Sequence, residues 1–129
     1  MDKKNCRVAV IDDDPFVLRG VCRLLRSAGF DVASFDSGAA FLDATASREP
    51  DCIVLDLHMP ETSGFDVQAR LAERGSNVPV IVITGDDTPE SRSRAIDLGA
   101  REYLGKPVDG ATLLAAIAAA TGVAGNGPC

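Results

Sequence analysis

Short apolar runs alternate with longer amphipathic stretches along the whole chain. Five of the runs are rich in β-branched residues and are bounded by polar or turn residues, which predicts strands of a parallel sheet. These predicted strands cover residues 7–11, 31–35, 51–56, 79–83 and 101–104. The run at 31–35 is the weakest, so we expect it at an edge of the sheet.

The stretches between the strands repeat their apolar residues at helical spacing, which predicts five helices. The residues expected to face inward are Val17, Val21, Leu24, Leu25 and Ala28, then Ala40, Phe41 and Ala44, then Phe65, Val67 and Leu71, then Ala95 and Leu98, and finally Leu113, Leu114 and Ile117. Helix-start signals occur at Pro15, Ser63, Thr88 and Asp109, and glycines at 29, 75 and 99 indicate helix ends. The second helix should end at 48–50. The fourth helix is polar, so shifting it should cost little.

Strand and helix alternate five times, which predicts an α/β fold: a doubly wound five-stranded parallel sheet with helices on both faces and right-handed crossovers. The 129 residues suffice for about one domain. We expect that domain over 1–121, and a flexible Gly/Pro-containing tail or linker stump over 122–129. We find no internal repeat.

Composition narrows the class of partner. The net charge of −6 disfavours direct binding to nucleic acid. No apolar stretch is long enough to cross a bilayer and the first residues lack a secretory apolar region, so a cytoplasmic protein is expected. The cysteines Cys6, Cys22, Cys52 and Cys129 form no CxxC or Cys/His cluster. Reduced thiols are therefore expected, rather than zinc ligands or disulfides.

Candidate chemistry is found where the predicted strands end. Asp12 and Asp13 follow the first strand, Asp56 ends the third, Thr84 follows the fourth and Lys106 follows the fifth. The carboxyl ends of parallel strands form one edge, where open α/β sheets bind ligands. Three carboxylates together would raise one another's pKa, and a divalent cation removes that conflict. Mg²⁺ suits a site with few carboxylates and retained waters, and Mn²⁺ is an alternative.

Four ordered fragments carry a family resemblance. They are Val10-Ile11-Asp12-Asp13-Asp14, Leu55-Asp56-Leu57-His58-Met59-Pro60, Ile83-Thr84-Gly85 and Tyr103-Leu104-Gly105-Lys106-Pro107. Each fragment alone is common, but the ordered set is specific. From Arg7 to about Thr121 the chain resembles the receiver domain of bacterial two-component response regulators. The resemblance implies the flavodoxin-like (receiver) fold, with strand order 2-1-3-4-5 and five helices.

The resemblance also implies roles for the residues at this edge. Asp56 would accept a phosphoryl group from a phosphohistidine, carried by a sensor histidine kinase or a phosphotransfer protein. The metal ligands would be Asp13, Asp56 and the backbone carbonyl of His58 directly, and Asp12 through water. Thr84 and Lys106 would stabilise the phosphoryl oxygens.

Further roles concern access and response. Gly85 would leave room for the donor, and Tyr103 would move after Thr84. The peptide bond between Lys106 and Pro107 would be cis. We expect His58 and Asp86 together to tune the lifetime of the phosphoryl group.

The implied function is a phosphorylation-dependent signalling switch, not an enzyme with a turnover substrate. Phosphorylation would change the conformation that the domain presents to an output domain or protein partner. The surface would consist of the 89–98 helix, the fifth strand and the last helix, and a phosphorylation-linked homodimer is a further expectation.

Plainer interpretations exist for each residue and for the chain. The acidic run Asp12–Asp14 could serve merely as a solvated cap for the helix that follows. Thr84 could cap the end of a strand, and Lys106 could be an ordinary surface charge. An aspartyl-phosphate phosphotransferase usually carries a second acid two positions after its nucleophile, where this chain has His58. A flavin or nucleotide module would need a glycine-rich phosphate loop after the first strand. A receiver-like docking module that is never phosphorylated would not need the intact acidic set.

Overall fold

The computed structural model describes residues 6–46 and 48–122. Within them a single five-stranded parallel sheet has the order β2-β1-β3-β4-β5. The strands are β1 (Arg7–Ile11), β2 (Asp31–Phe35), β3 (Cys52–Asp56), β4 (Val80–Thr84) and β5 (Glu102–Gly105). The helices are α1 (Pro15–Ser27), α2 (Gly38–Ala44), α3 (Gly64–Glu73), α4 (Pro89–Asp97) and α5 (Gly110–Thr121). The predicted α/β fold and its strand order are confirmed.

The sheet is buried on both faces because helices cover each of them. Residues of α2, α3 and α4 form one core cluster with alternate strand residues, and residues of α1 and α5 form the other. Every residue of β3 and β4 is buried. A strand covered on both faces has no polar side, which explains why these two strands are continuous apolar runs in the sequence.

Local signals set most helix starts as predicted. The Asp14 carboxylate accepts the Phe16 backbone N–H at 2.9 Å and caps α1. Ser63 and Asp66 form a reciprocal capping box at the start of α3. Because these caps fix where each helix begins, they also fix the short loops between the strand ends and the helices.

The prediction for α2 was wrong in detail. Ala40 and Ala44 are exposed, and the inward residues are Phe41 and Leu42. Burying leucine removes much more apolar surface from water than burying alanine, so the helix turns its larger side chains inward. The helix also ends at Ala44 rather than at 48–50. Just after this end, the Thr45 hydroxyl donates a hydrogen bond to the Phe41 carbonyl at 2.7 Å.

Smaller differences concern strand ends and several helix side chains. β3 begins at Cys52, β4 at Val80 and β5 at Glu102, each one residue later than predicted. Five of the side chains predicted to face inward are only partly buried: Val17, Leu24, Ala28, Leu98 and Leu114. The predicted tail begins at Gly122, which caps α5 with a φ of 78°, and residues 123–129 lie outside the described part.

The described cysteines are free and buried. Burial raises the pKa of Cys52 to about 12 and also raises the pKa of Cys22. Both are therefore unreactive thiols at neutral pH; Cys129 lies outside the described residues. Among the described helices, none is both long and apolar enough to cross a membrane.

Candidate functional site

Three carboxylates meet at the carboxyl edge of the sheet. Asp12 and Asp56 are buried, at 0% and 3% exposure, whereas Asp13 is exposed. One carboxylate oxygen from each lies within 4.8 Å of the others. The adjacent pairing of β1 and β3 brings them together, since both strands end at this point. A site with two buried ligands and one exposed ligand can hold a metal ion and remain open to solvent.

The charge on Asp56 is disfavoured by its surroundings. Burial, and after it the negative charge of Asp12, raises the pKa of Asp56 to about 6. Lys106 and the His58 backbone N–H, which lies 3.4 Å from Asp56 Oδ1, oppose that rise. The cluster therefore holds more negative charge than its own cation balances, and a divalent cation would relieve the excess.

Lys106 is the cation that the fold brings to the cluster. Its Nζ lies 2.8 Å from Asp12 Oδ2 and 3.5 Å from Asp56 Oδ1. Burial alone would lower the pKa of Lys106, but the two carboxylates outweigh burial and raise it. Lys106 is therefore charged at neutral pH. The peptide bond that follows it, to Pro107, is cis.

Thr84 and Gly85 lie beside the lysine. Thr84 is fully buried and its hydroxyl oxygen accepts the Asp86 backbone N–H at 3.1 Å. A Cβ added to the exposed Gly85 would lie 3.9 Å from Lys106 Cδ, its nearest neighbour. The glycine thus leaves the edge open above the lysine side chain.

His58 and Asp86 face each other across the rim of the cluster. His58 Nε2 lies 3.8 Å from Asp86 Oδ2, and both side chains are substantially exposed. The predicted pair is therefore adjacent in space. Its side chains come from the loops after β3 and β4, which flank the carboxylates.

Tyr103 is buried on the α4 side of the sheet. In the register it pairs with Val82, two residues before Thr84, so Tyr103 and Thr84 project toward the same face. The Arg92 guanidinium lies 4.8 Å from the centre of the Tyr103 ring. Burial, and after it the neighbouring Asp87 carboxylate, raises the pKa of the hydroxyl. Tyr103 thus shares a sheet face with Thr84 and contacts Arg92 of α4.

One residue near the site was missed from the sequence. A Cβ added to Gly64 would lie 2.4 Å from the Asp56 carbonyl oxygen. The available signal was a glycine directly after the helix cap Ser63, where a residue with a side chain would suit the helix better.

Comparison with known proteins agrees with this geometry. The family model described as "Response regulator receiver domain" matches residues 8–118. The chain is 42% identical over 115 residues to the transcriptional regulatory protein FixJ of Azorhizobium caulinodans, covering 89% of this chain and 54% of that protein. It is 38% identical over 117 residues to the response regulator protein TmoT of Ectopseudomonas mendocina, covering 91% and 53%. The chain thus spans about half the length of these curated relatives.

Solved structures agree as well. A response regulator receiver protein from Burkholderia phymatum is 44% identical, with a TM-score of 0.81 and coverage of 92% of this chain and 97% of that chain. The crystal structure of FixJ-N is 30% identical, with a TM-score of 0.83 and coverage of 90% of this chain and 93% of that chain. The chain therefore belongs to the response regulator receiver domain family of two-component signalling systems.

Proposed function

We propose that Asp56 accepts a phosphoryl group from a phosphohistidine on a sensor histidine kinase or phosphotransfer protein, in a reaction that requires Mg²⁺. The observation that carries the proposal is the setting of Asp56 itself. It is a buried carboxylate, close to two other carboxylates and 3.5 Å from Lys106 Nζ. A cytoplasmic location is part of the proposal.

Four groups would hold the cation: Asp12, Asp13, Asp56 and the backbone carbonyl of His58. The carboxylate oxygens fit a hard divalent ion, and the exposure of Asp13 gives the ion a route to the buried pair. When bound, Mg²⁺ or Mn²⁺ neutralises the carboxylates and screens an incoming phosphoryl group.

In the transfer, a carboxylate oxygen of Asp56 forms a bond to phosphorus as the bond to the donor histidine nitrogen breaks. The other ring nitrogen of the donor carries a proton, so the departing nitrogen keeps the electron pair of that bond and the imidazole leaves neutral. Lys106, already within the cluster, stabilises one phosphoryl oxygen. The Thr84 hydroxyl oxygen accepts a hydrogen bond from the Asp86 N–H, so its own O–H can donate a hydrogen bond to a second phosphoryl oxygen. Gly85 leaves room for the donor side chain.

The domain then acts as a signalling switch, and not as an enzyme that turns over a substrate. The phosphoryl group adds a charge of about −1.5 to −2 at neutral pH, which draws Lys106 and Thr84 toward it. Tyr103 follows into the space that Thr84 leaves and pulls on Arg92, its partner in α4. The repacked 89–98 helix, with β5 and α5, binds an output domain, a protein partner or a second copy of the domain.

The pair of His58 and Asp86 sets how long the phosphoryl group survives. Their side chains flank the cluster and approach each other to 3.8 Å, so they restrict the approach of an attacking water. Replacing His58 with alanine should therefore change the rate of dephosphorylation, measured as loss of the phosphorylated species over time. An unchanged rate contradicts this part of the proposal.

The central test is phosphorylation with a small phosphodonor and Mg²⁺, followed by intact mass. We expect wild type to gain one phosphoryl group and Asp56→Asn to gain none. Asp51→Asn is the matched control: Asp51 is an exposed aspartate immediately before β3, far along the strand from Asp56. It should react like wild type. An adduct on both wild type and Asp56→Asn, or on neither, contradicts the proposal.

A further inference from the structure

Two glycines begin the helices on either side of the loop that follows Asp56. Gly64 is the first residue of α3, and Gly38 is the first residue of α2. Both are buried. Neither has a positive φ, so their backbone conformation does not require glycine. The reason for a glycine at each position must therefore be space.

At Gly64 the space is taken by backbone. An added Cβ would lie 2.4 Å from the Asp56 carbonyl oxygen and 2.7 Å from Leu57 Cα. Asp56 and Leu57 are themselves buried, at 3% and 0% exposure. Backbone at the end of a central strand cannot move aside as the tip of a side chain can. A methyl group here would have to displace the residue that carries the carboxylate.

The position of Gly64 is also fixed from its own side. Its N–H donates to the Leu57 carbonyl at 2.9 Å. The capping box of Ser63 and Asp66 fixes the first turn of α3, with hydrogen bonds of 3.0 and 3.2 Å. The start of α3 is thus held against the Asp56–Leu57 peptide and cannot withdraw easily.

Gly38 bounds the same loop from the α2 side, through softer contacts. An added Cβ there would lie 2.7 Å from Val67 Cγ2 and 2.9 Å from Thr62 Cγ2, both of which are side-chain atoms. Gly20 in α1 differs from both, because nothing lies within 4 Å of its added Cβ. The three glycines form a graded series from rigid contact to open space.

We propose that Gly64 is a positioning residue for phosphoryl transfer. The absence of a side chain lets α3 begin directly on the Asp56 carbonyl, and this contact fixes the Asp56 carboxylate and the His58 carbonyl relative to Asp13. Gly38 supports the arrangement by leaving room for the side chains of Thr62, in the loop, and Val67, in α3. The inference rests on the proposed role of Asp56.

The test compares Gly64→Ala, Gly38→Ala and Gly20→Ala in the full chain. Three quantities are measured for each: Mn²⁺ affinity by electron paramagnetic resonance, the phosphorylation rate with a small phosphodonor and Mg²⁺, and unfolding by denaturant in EDTA. For Gly64→Ala we expect Mn²⁺ affinity and phosphorylation rate each to fall by about tenfold or more, because sub-ångström misplacement of ligands and nucleophile is costly. In Gly38→Ala, Mn²⁺ affinity and phosphorylation rate should each fall a few-fold. In Gly20→Ala, both should match those of wild type.

Two measures distinguish a positioning role from a purely structural one. Mn²⁺ affinity and phosphorylation rate are measured only under conditions in which each variant is folded, and a second substitution is used to rescue Gly38→Ala. The double variant Gly38→Ala/Val67→Ala removes the Val67 methyl that would lie nearest the new Cβ. It should regain most of the Mn²⁺ affinity of wild type without regaining stability. If Gly64→Ala does not fold, the loop after Asp56 is tested from the α2 side: an unchanged Mn²⁺ affinity in folded Gly38→Ala, or no rescue by the double variant, overturns the inference.

The outcomes also separate the inference from the proposed function. If Gly64→Ala is folded and keeps Mn²⁺ affinity and phosphorylation rate within about twofold of wild type, the inference is wrong while the role of Asp56 stands. If wild type takes up no phosphoryl group, the proposed function is wrong, and the Mn²⁺ affinities still show whether Gly64 places the carboxylates.

Discussion

The helices α3 and α4 lie side by side and follow adjacent strands, yet the protein holds them in different ways. α3 buries Gly64, Phe65, Val67, Gln68 and Leu71, whereas α4 buries only Ala95. The cause lies in the sequence, since α4 is built mainly from charged and hydroxyl side chains. α3 is therefore part of the core, and α4 rests on its surface.

α4 is held against the domain mainly by contacts of long polar side chains, because it buries little apolar surface. Gln68 Nε2 donates to the Ala95 carbonyl at 2.9 Å, and the Arg94 guanidinium lies 4.1 Å from the centre of the Phe65 ring. Such contacts contribute about 0.5–1.5 kcal/mol each and break one at a time. In the proposed function, the reacting carboxylates lie beside the firmly packed α3, and the weakly held α4 is the element that responds.

The largest expected contrast is in stability. Leu71→Ala in α3 removes a buried side chain and should lower the free energy of unfolding by about 2–5 kcal/mol. Ile96→Ala in α4, where the side chain is 46% exposed, should cost less than about 0.5 kcal/mol. Denaturant unfolding measures both. Equal losses would mean that α4 is as much a part of the core as α3.

How far the sequence predicts this contrast depends on the kind of contact. The polar character of α4 and the apolar strand that ends on Asp56 are both visible in the residues, so the fold and the edge of the site could be predicted. The close approach of Gly64 to Asp56 could not, because glycine has no side chain to carry a pattern. The Gln68–Ala95 hydrogen bond spans 27 positions and depends on how two helices dock.

The error in α2 has a related cause. Its seven residues make only two turns and include three alanines and a glycine, so several inward faces fit the apolar spacing. Packing against β2 and α3 selects the face with Phe41 and Leu42. Short, alanine-rich helices therefore need the tertiary structure before an inward face can be assigned.

A smaller expected effect concerns the electrostatic cost of the negative charge on Asp56. The pKa of Asp56 is raised from 3.8 to about 6 in the folded protein, so folded Asp56 keeps a proton that the unfolded chain has already lost. In EDTA, the free energy of unfolding should therefore fall as pH rises from about 4 to about 6. We expect a loss on the order of 1–2 kcal/mol, less than the full shift implies, because solvent at the open edge screens the charge.

Asp56→Asn should remove this part of the pH dependence and raise stability at neutral pH. Glu90→Gln, which replaces an exposed acid in the first turn of α4, should leave the slope of wild type in place. Denaturant unfolding at several pH values gives all three curves. A wild-type stability that rises over this range would mean that the cluster does not resist the charge on Asp56.

The smallest effect should be local to α4. Gln68→Leu removes the hydrogen bond to the Ala95 carbonyl and should lower the free energy of local opening of α4 by about 1 kcal/mol. Hydrogen exchange of α4 amides should then quicken about fivefold, since 1 kcal/mol corresponds to that ratio. Global stability should change little, because the Ala95 carbonyl still accepts the Ala100 N–H at 3.0 Å.

Arg74 offers a matched control, because it ties α3 to its other neighbour in the same manner. Its Nη2 donates to the Leu42 carbonyl of α2 at 2.7 Å. Arg74→Met should therefore quicken exchange in α2 and leave α4 unchanged, whereas Gln68→Leu should do the reverse. If Gln68→Leu quickens exchange in α3 as much as in α4, the two helices open as one unit. The division between a firmly packed helix beside the carboxylates and a loosely held helix that responds in the proposed function would then be wrong.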